Sequence, residues 1–221
     1  MFESRSGVFF IAGVGFFALA FLASGLVPIL MYVDKYPEKK AIEMVNRNVL
    51  IQFRDLQKHY PAQFKKYVGE LTPENEAEKC ADTIRYGLKI YKGEGCWHCH
   101  SQFVRPVSRE MERWGPVSKS WEYQNELQRP VMFGTRRVGP DLIREGGRRS
   151  NDWHAAHFFK PKSLSPESVM PEYPWFFDGS PLQPNDRGLA LITYMQWLGS
   201  WMPNYFTLYK SQGDATSEGD Q

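Results

Sequence analysis

The chain has 221 residues, with 27 Lys and Arg against 25 Asp and Glu. Charges so nearly balanced exclude wholesale nucleic-acid binding through net charge. The length suits one domain or two small ones, and three cysteines (Cys80, Cys96 and Cys99) are too few for a disulfide scaffold.

Residues 1–7 form a short polar lead. Val8 to Val33 then runs without a charged residue. As a helix it would reach about 39 Å, against roughly 30 Å of bilayer hydrocarbon. Tilt, or a helix end near Pro28, would absorb the excess. The run is long and no A-x-A-like site closes it, so the expectation is a retained transmembrane anchor and not a cleaved leader. Arg5 precedes the span, and Lys35, Lys39 and Lys40 follow it. That charge pattern alone favours a cytoplasmic domain, although the rule is weak for long translocated segments.

Residues 34–71 are expected to form a stalk or amphipathic segment. Within it, Ile42, Val45, Val49, Phe53, Leu56 and Tyr60 recur at helical steps from Ala41 to Tyr60. Thr72-Pro73-Glu74 reads as a helix start, with a capping hydroxyl, Pro at the first position and an early acid. That helix should run to about Lys92, turn Ile84, Leu88 and Tyr91 inward, and stop at Gly93 and Gly95. Ser101 to Pro184 is rich in Pro, Gly and Arg, a structureless length that a compact domain tolerates when something else organises it. A final helix is expected from Asn185 to Trp201. The domain spans 72–205, and residues 206–221 read as a polar, flexible tail. Aromatic residues make up 15% of the chain, as in a small domain wrapped round a flat ligand.

Cys96-Trp97-His98-Cys99-His100 supplies such a ligand. This is C-x-x-C-H, the attachment pattern of c-type haem. Two thiols three residues apart can each form a thioether to a vinyl group, and the next imidazole meets the iron from the same side. A thioredoxin-like pair would need a βαβ setting that is absent from the pattern. A zinc site with His154 and His157 is disfavoured, because their H-x-x-H spacing is tighter than the usual one and the pair stands far along the chain from the cysteines. Covalent haem attachment takes place outside the cytoplasm, which outweighs the charge rule and sets the domain on the periplasmic side. Met170, in a Pro-rich loop, is a candidate sixth ligand, with Met111, Met132, His154 and His157 as rivals. Pro140 follows Gly139, and its carbonyl is a candidate acceptor for the His100 ring. Arg105, Arg136, Arg137, Arg144, Arg148 and Arg149 line the loops; Arg105 and Arg137 are singled out as candidates for pairing with haem propionates.

With these residues in view, the chain resembles the mono-haem subunit of cbb3-type cytochrome c oxidases. The likeness rests on GEGCWHCHSQFVRP at 93–106, ERWG at 112–115, GTRRVGPDLIREGGRRSNDWHAAHFFKP at 134–161 and PESVMPEYPWF at 166–176. It implies a mainly α fold: one N-terminal transmembrane helix and a class I cytochrome c domain with long haem-wrapping loops. It also implies ligation by His100 and Met170. The expected partners are a polytopic haem–copper catalytic subunit, membrane lipid, and a di-haem cytochrome c subunit or soluble cytochrome c as electron donor. Trp153, His154 and His157 are expected to be structural or subunit contacts. Two stretches depart from the family: 37–79 is longer, and the link from Phe177 to the last helix is shorter. The alternatives are the cytochrome subunit of a nitric-oxide reductase, and a haem-based sensor with an open sixth position.

Overall fold

The computed structural model describes residues 2–33 and 38–203. They fall into two compact units divided between Glu38 and Lys39.

The first unit is one continuous helical run, α1 (Phe2–Phe21), a π-helical stretch (Leu22–Leu26) and α2 (Val27–Tyr32). Arg5–Tyr32 is long and apolar enough to cross a membrane, and it buries none of its surface within the chain. This fits a single-pass membrane protein. Of the two ways to absorb the excess length, a helix end near Pro28 is not the one used, because the run continues to Tyr32. Proline brings no N–H to the helical ladder. The π-stretch just before it shifts the pattern, so that Val27 N–H donates to the Leu22 carbonyl, and the run continues. The Ser24 hydroxyl donates to the Ala20 carbonyl at 2.5 Å.

The second unit is helical, and no strand forms among the described residues. Residues 41–60 do not make one helix. They give α3 (Ala41–Met44) and α4 (Arg47–His59), followed by α5 (Pro61–Tyr67). The break falls at Asn46, whose Oδ1 accepts from Asn48 N–H at 3.0 Å and Val49 N–H at 3.2 Å and so caps α4. Val49, Phe53 and Leu56 are buried in the same core as the later helices. Phe53 meets Phe64 of α5 edge-on at 5.0 Å. The segment read as a stalk therefore packs into the unit that carries the cysteine turn, and the only division of the described chain lies at residue 38 instead of 71.

α6 (Glu76–Gly93) starts four residues later than Thr72. Residues 72–75 form a turn in which Asn75 Oδ1 accepts from Thr72 N–H at 2.9 Å. Ile84, Leu88 and Tyr91 are buried as the periodicity predicted, and Cys80 is buried with them. α10 (Asp186–Trp197) is capped by Asn185, whose Oδ1 accepts from Arg187 N–H at 3.0 Å and Gly188 N–H at 3.3 Å. It ends short of Trp201 at Gly199, where φ is +83°. α6 and α10 cross at Gly87, where a Cβ would lie 2.2 Å from the Ala190 carbonyl oxygen. Beside the crossing, Tyr91 and Tyr194 rings lie 5.5 Å apart.

Between α7 (Cys96–Cys99) and α10, the chain makes only α8 (Glu110–Trp114), α9 (Asn151–Phe159) and short 3₁₀ turns. Buried charge organises much of the rest. Arg144 faces Glu122 through two nitrogens at 2.5 and 2.8 Å, both residues almost fully buried, and Trp201 Nε1–H donates to the same carboxylate at 3.0 Å. The tail from Ser211, and all of 206–221, lies outside the described residues.

Candidate functional site

α6 ends at Gly93, and the chain turns through Gly95, whose φ of +71° lies in the left-handed region where a side chain would strain it. The single turn α7 follows, and His100 N–H donates to the Cys96 carbonyl at 3.0 Å. Both thiols are free. Burial above all, then the neighbouring Glu94 carboxylate, pushes the Cys96 thiol up to about 12.

His100 is fixed from behind. Its Nδ1 lies 2.9 Å from the Pro140 carbonyl oxygen. A carbonyl can only accept, so Nδ1 carries the proton and Nε2 keeps its lone pair for an electrophile. Burial holds the ring below the usual histidine range, only partly countered by that hydrogen bond, which keeps the imidazole neutral. The ring packs against Gly139, where a Cβ would sit 2.3 Å from Cε1 and 2.6 Å from Nδ1. Only glycine leaves room for it. Tyr91 of α6 donates to the His100 carbonyl at 3.1 Å, so the helix core also grips this residue.

Two short stretches run side by side to build this support. Gly139 N–H donates to the Cys99 carbonyl at 3.0 Å, and Leu142 N–H to the Ser101 carbonyl at 2.8 Å. Asp141, almost wholly buried, accepts from the Ser101 hydroxyl at 2.5 Å, Phe103 N–H at 2.8 Å and Ile143 N–H at 2.9 Å. Burial raises the Asp141 carboxyl and these bonds pull it back. On the other side of the turn, Thr135 and Arg136 N–H groups donate to the His98 carbonyl at 3.2 and 2.9 Å.

Met170 lies half-buried against the core, in a segment free of regular structure. Its N–H donates to the Ser168 hydroxyl at 3.2 Å. Three residues on, Tyr173 N–H donates to the Phe158 carbonyl at 2.9 Å and so ties the segment to α9. Tyr173 also reaches the cysteine turn: burial first, then Cys96, Glu94 and Cys99, push its phenol up to about 12. Among the rivals, Met111 is 58% exposed on α8, and Met132 is buried, its carbonyl accepting from Gln102 N–H at 2.7 Å. His154 and His157 lie on α9. Burial, mainly, drives His154 down to about 3 and His157 to about 4, His157 also feeling His100. His157 stacks on Trp153 at 4.5 Å, and His154 on Phe158 at 5.9 Å.

Arg105 and Arg137 are brought together on one carboxylate. Arg137 grips Glu110 through two nitrogens at 2.5 and 2.7 Å, and Arg105 Nε–H donates to the same group at 2.8 Å. Glu110 itself is 2% exposed. Sequence spacing offered no sign of it, because Glu110 and Arg137 stand 27 residues apart. Ser101 and Asp141 were visible only as members of the HSQ and GPDL strings.

The described residues hold no cluster of three or more His, Cys, Asp or Glu suited to a bare metal ion. What they do hold is the free thiol pair Cys96 and Cys99 beside an imidazole whose Nδ1 is already engaged, on a helical frame. Those residues fit a covalently held haem, and the class they point to is a mono-haem cytochrome c. The family model for the cytochrome c oxidase mono-haem subunit, FixO, matches residues 67–188, more than half of the chain, and the chain belongs to that family. Comparison with curated proteins finds no match. Membership makes the chain a subunit of a haem–copper oxidase complex that carries a haem c.

Proposed function

We propose that this subunit relays single electrons from a donor cytochrome to the catalytic haem–copper subunit, where oxygen is reduced to water. The observation that carries the reading is the fixed His100 ring, with Nδ1–H on Pro140 and Nε2 free to ligate. A haem bound there supplies reversible one-electron chemistry at its iron. Cys96 and Cys99 would hold it through two thioethers, and His100 and the thioether of Met170 would supply its iron ligands. A neutral imidazole paired with a thioether favours the reduced state over His/His ligation and closes the iron to exogenous ligands. Pro140 keeps the His100 tautomer constant, so the ligand field does not change with turnover. Residues 1–7 would then lie in the cytoplasm, the span would run from 8 to 33, and the unit from residue 39 onward would face the periplasm. The donor would be a di-haem cytochrome c subunit or a soluble cytochrome c.

The test is to purify the tagged chain from native membranes in mild detergent and record reduced-minus-oxidised spectra with and without carbon monoxide. The reading expects haem c on this chain after denaturing electrophoresis, together with haem b and a carbon-monoxide-binding haem from the partner. The preparation should consume oxygen. Haem c alone, silent to carbon monoxide and inert toward oxygen, would overturn the relay assignment. Replacing Met170 by Ala should leave the haem attached, lower its potential and open it to carbon monoxide.

A further inference from the structure

Glu110 lies 2% exposed, 27 residues before Arg137, and holds two arginines at once. Arg137 completes a chain of contacts that leads back to the ligand. Its Nε–H donates to the Ser101 hydroxyl at 2.9 Å, and that hydroxyl donates to Asp141 at 2.5 Å. Asp141 gathers Phe103 and Ile143 N–H groups, and its neighbour Pro140 accepts the His100 proton. Arg137 also stands at φ +52°, a left-handed conformation uncommon for a residue with a long side chain. Such conformations are unfavourable by about 1–3 kcal/mol and persist where surrounding contacts over-determine them. Here those contacts are the two-pronged grip on Glu110, the hydroxyl of Ser101 and the Trp114 ring, 5.0 Å from the guanidinium. The twist at 137 turns the chain so that Gly139 and Pro140 come back beneath the His100 ring.

We infer that Glu110 and Arg137 form a latch that sets the hydrogen bond between His100 and Pro140, and through it the reduction potential of the haem. The inference rests on the haem-binding reading above. Arg137 is thereby a positioning residue, acting on the iron ligand through Ser101 and the 137–141 turn, and not a partner of the haem propionates. A firm bond at Nδ1 makes the imidazole a stronger electron donor and favours the oxidised state. Loosening the latch weakens that bond and raises the potential.

The experiment compares Glu110→Gln, Arg137→Gln, the double variant and Arg137→Lys in the full-length complex, by redox titration of the haem c band. Covalent haem is scored separately on denaturing gels. Glu110→Gln and Arg137→Gln should each shift the reduction equilibrium about threefold toward the reduced form, about 28 mV at 59 mV per tenfold for one electron. The double variant should add little to either single change, because both remove one interaction. Arg137→Lys keeps the charge but loses the fork, and should restore part of the shift. An unchanged potential in variants with normal haem overturns the latch. So does a shift in Arg137→Gln with none in Glu110→Gln, which would put Arg137 on a propionate directly. If the charge variants fail to assemble, Ser101→Ala removes only the linking hydroxyl; it must move the potential the same way, and no movement refutes the inference. Absence of covalent haem on the unmodified chain would instead refute the haem-binding reading.

Discussion

Replacing Gly87 by Ala sets two physical effects against each other. In a helix interior, alanine is favoured over glycine by about 1 kcal/mol, so an isolated α6 would gain. In the folded unit, the new Cβ would lie 2.2 Å from the Ala190 carbonyl oxygen and 2.6 Å from Tyr194 Cβ. Comfortable carbon–oxygen contact begins near about 3.3 Å, and backbone oxygen has no rotamer by which to step aside. α6 and α10 must therefore move apart by about 1 Å. A gap of that size forfeits roughly a quarter to a half of the dispersion at each facing contact. Ile84, Leu88 and Tyr91 on one side and Leu189, Ile192 and Tyr194 on the other all lie in this core. Losing about 0.5 kcal/mol at each outweighs the propensity gain, and the net destabilisation is of order 2 kcal/mol. In a unit of this size that lowers Tm by roughly 4–8 °C. Thermal unfolding of the detergent-solubilised protein, followed by far-ultraviolet circular dichroism, measures it. Gly93→Ala is the control, since a Cβ there meets nothing within 4 Å. An unchanged or raised Tm for Gly87→Ala would refute the close crossing.

Gly139→Ala should displace the His100 ring, which a Cβ would meet at 2.3 Å, and reduce the haem c recovered per polypeptide on a haem-stained gel. Full haem loading with an unaltered spectrum would contradict the packing described. Glu145 is pushed up to about 7 by burial, against the pull of Arg148 and Arg149. A carboxyl raised in the folded state erodes stability as pH climbs from its unfolded value near 4.5 to about 7. Glu145→Gln should therefore raise Tm at pH 8, by at most about 3 kcal/mol of stability, and much less at pH 4.5; an equal effect at both would be wrong for this site. His154 has the opposite linkage: with its folded value lowered to about 3, stability is whole above about 6.5 and falls as pH drops. Going from pH 6.5 to pH 5 should remove about 2 kcal/mol on its account, and His154→Phe should flatten the slope of Tm against pH.

The elements that could be read from sequence are those with a period or a fixed spacing. The apolar span follows from an unbroken run without charge, and the stripe of α6 and the face of α10 from the helical repeat. The haem c expected from C-x-x-C-H agrees with the family to which the chain belongs. The start expected at Thr72 was displaced by a side chain: Asn75 closes the turn that Thr72-Pro73 was expected to open as a helix. α9 was hidden because its Ser150 cap precedes Asn151 to Phe159, a run mixing aromatic, polar and small residues with little periodicity. The loops hid most. Glu110 with Arg137, and Glu122 with Arg144, are pairs 27 and 22 residues apart, and nothing in a string of residues says which charge will be buried against which. The close approaches at Gly87 and Gly139 are equally silent in sequence, because their meaning lies in what stands opposite.

The Asn46 cap has a consequence for how the second unit is strung. Asn46 Nδ2–H donates to the Ser200 hydroxyl at 2.9 Å, and Asn48 Nδ2–H to the Ser200 carbonyl at 2.8 Å. The segment entering the unit and the segment leaving it are thus clasped at one edge although 154 positions apart in sequence, and the chain between them forms an almost closed ring. A ring can be cut elsewhere. A short linker across the clasp, with new ends opened in an exposed loop such as the one around Leu182, should give a permuted second unit that keeps α4 to α10. A label appended after Ser200 would likewise report from the edge at which the chain arrives.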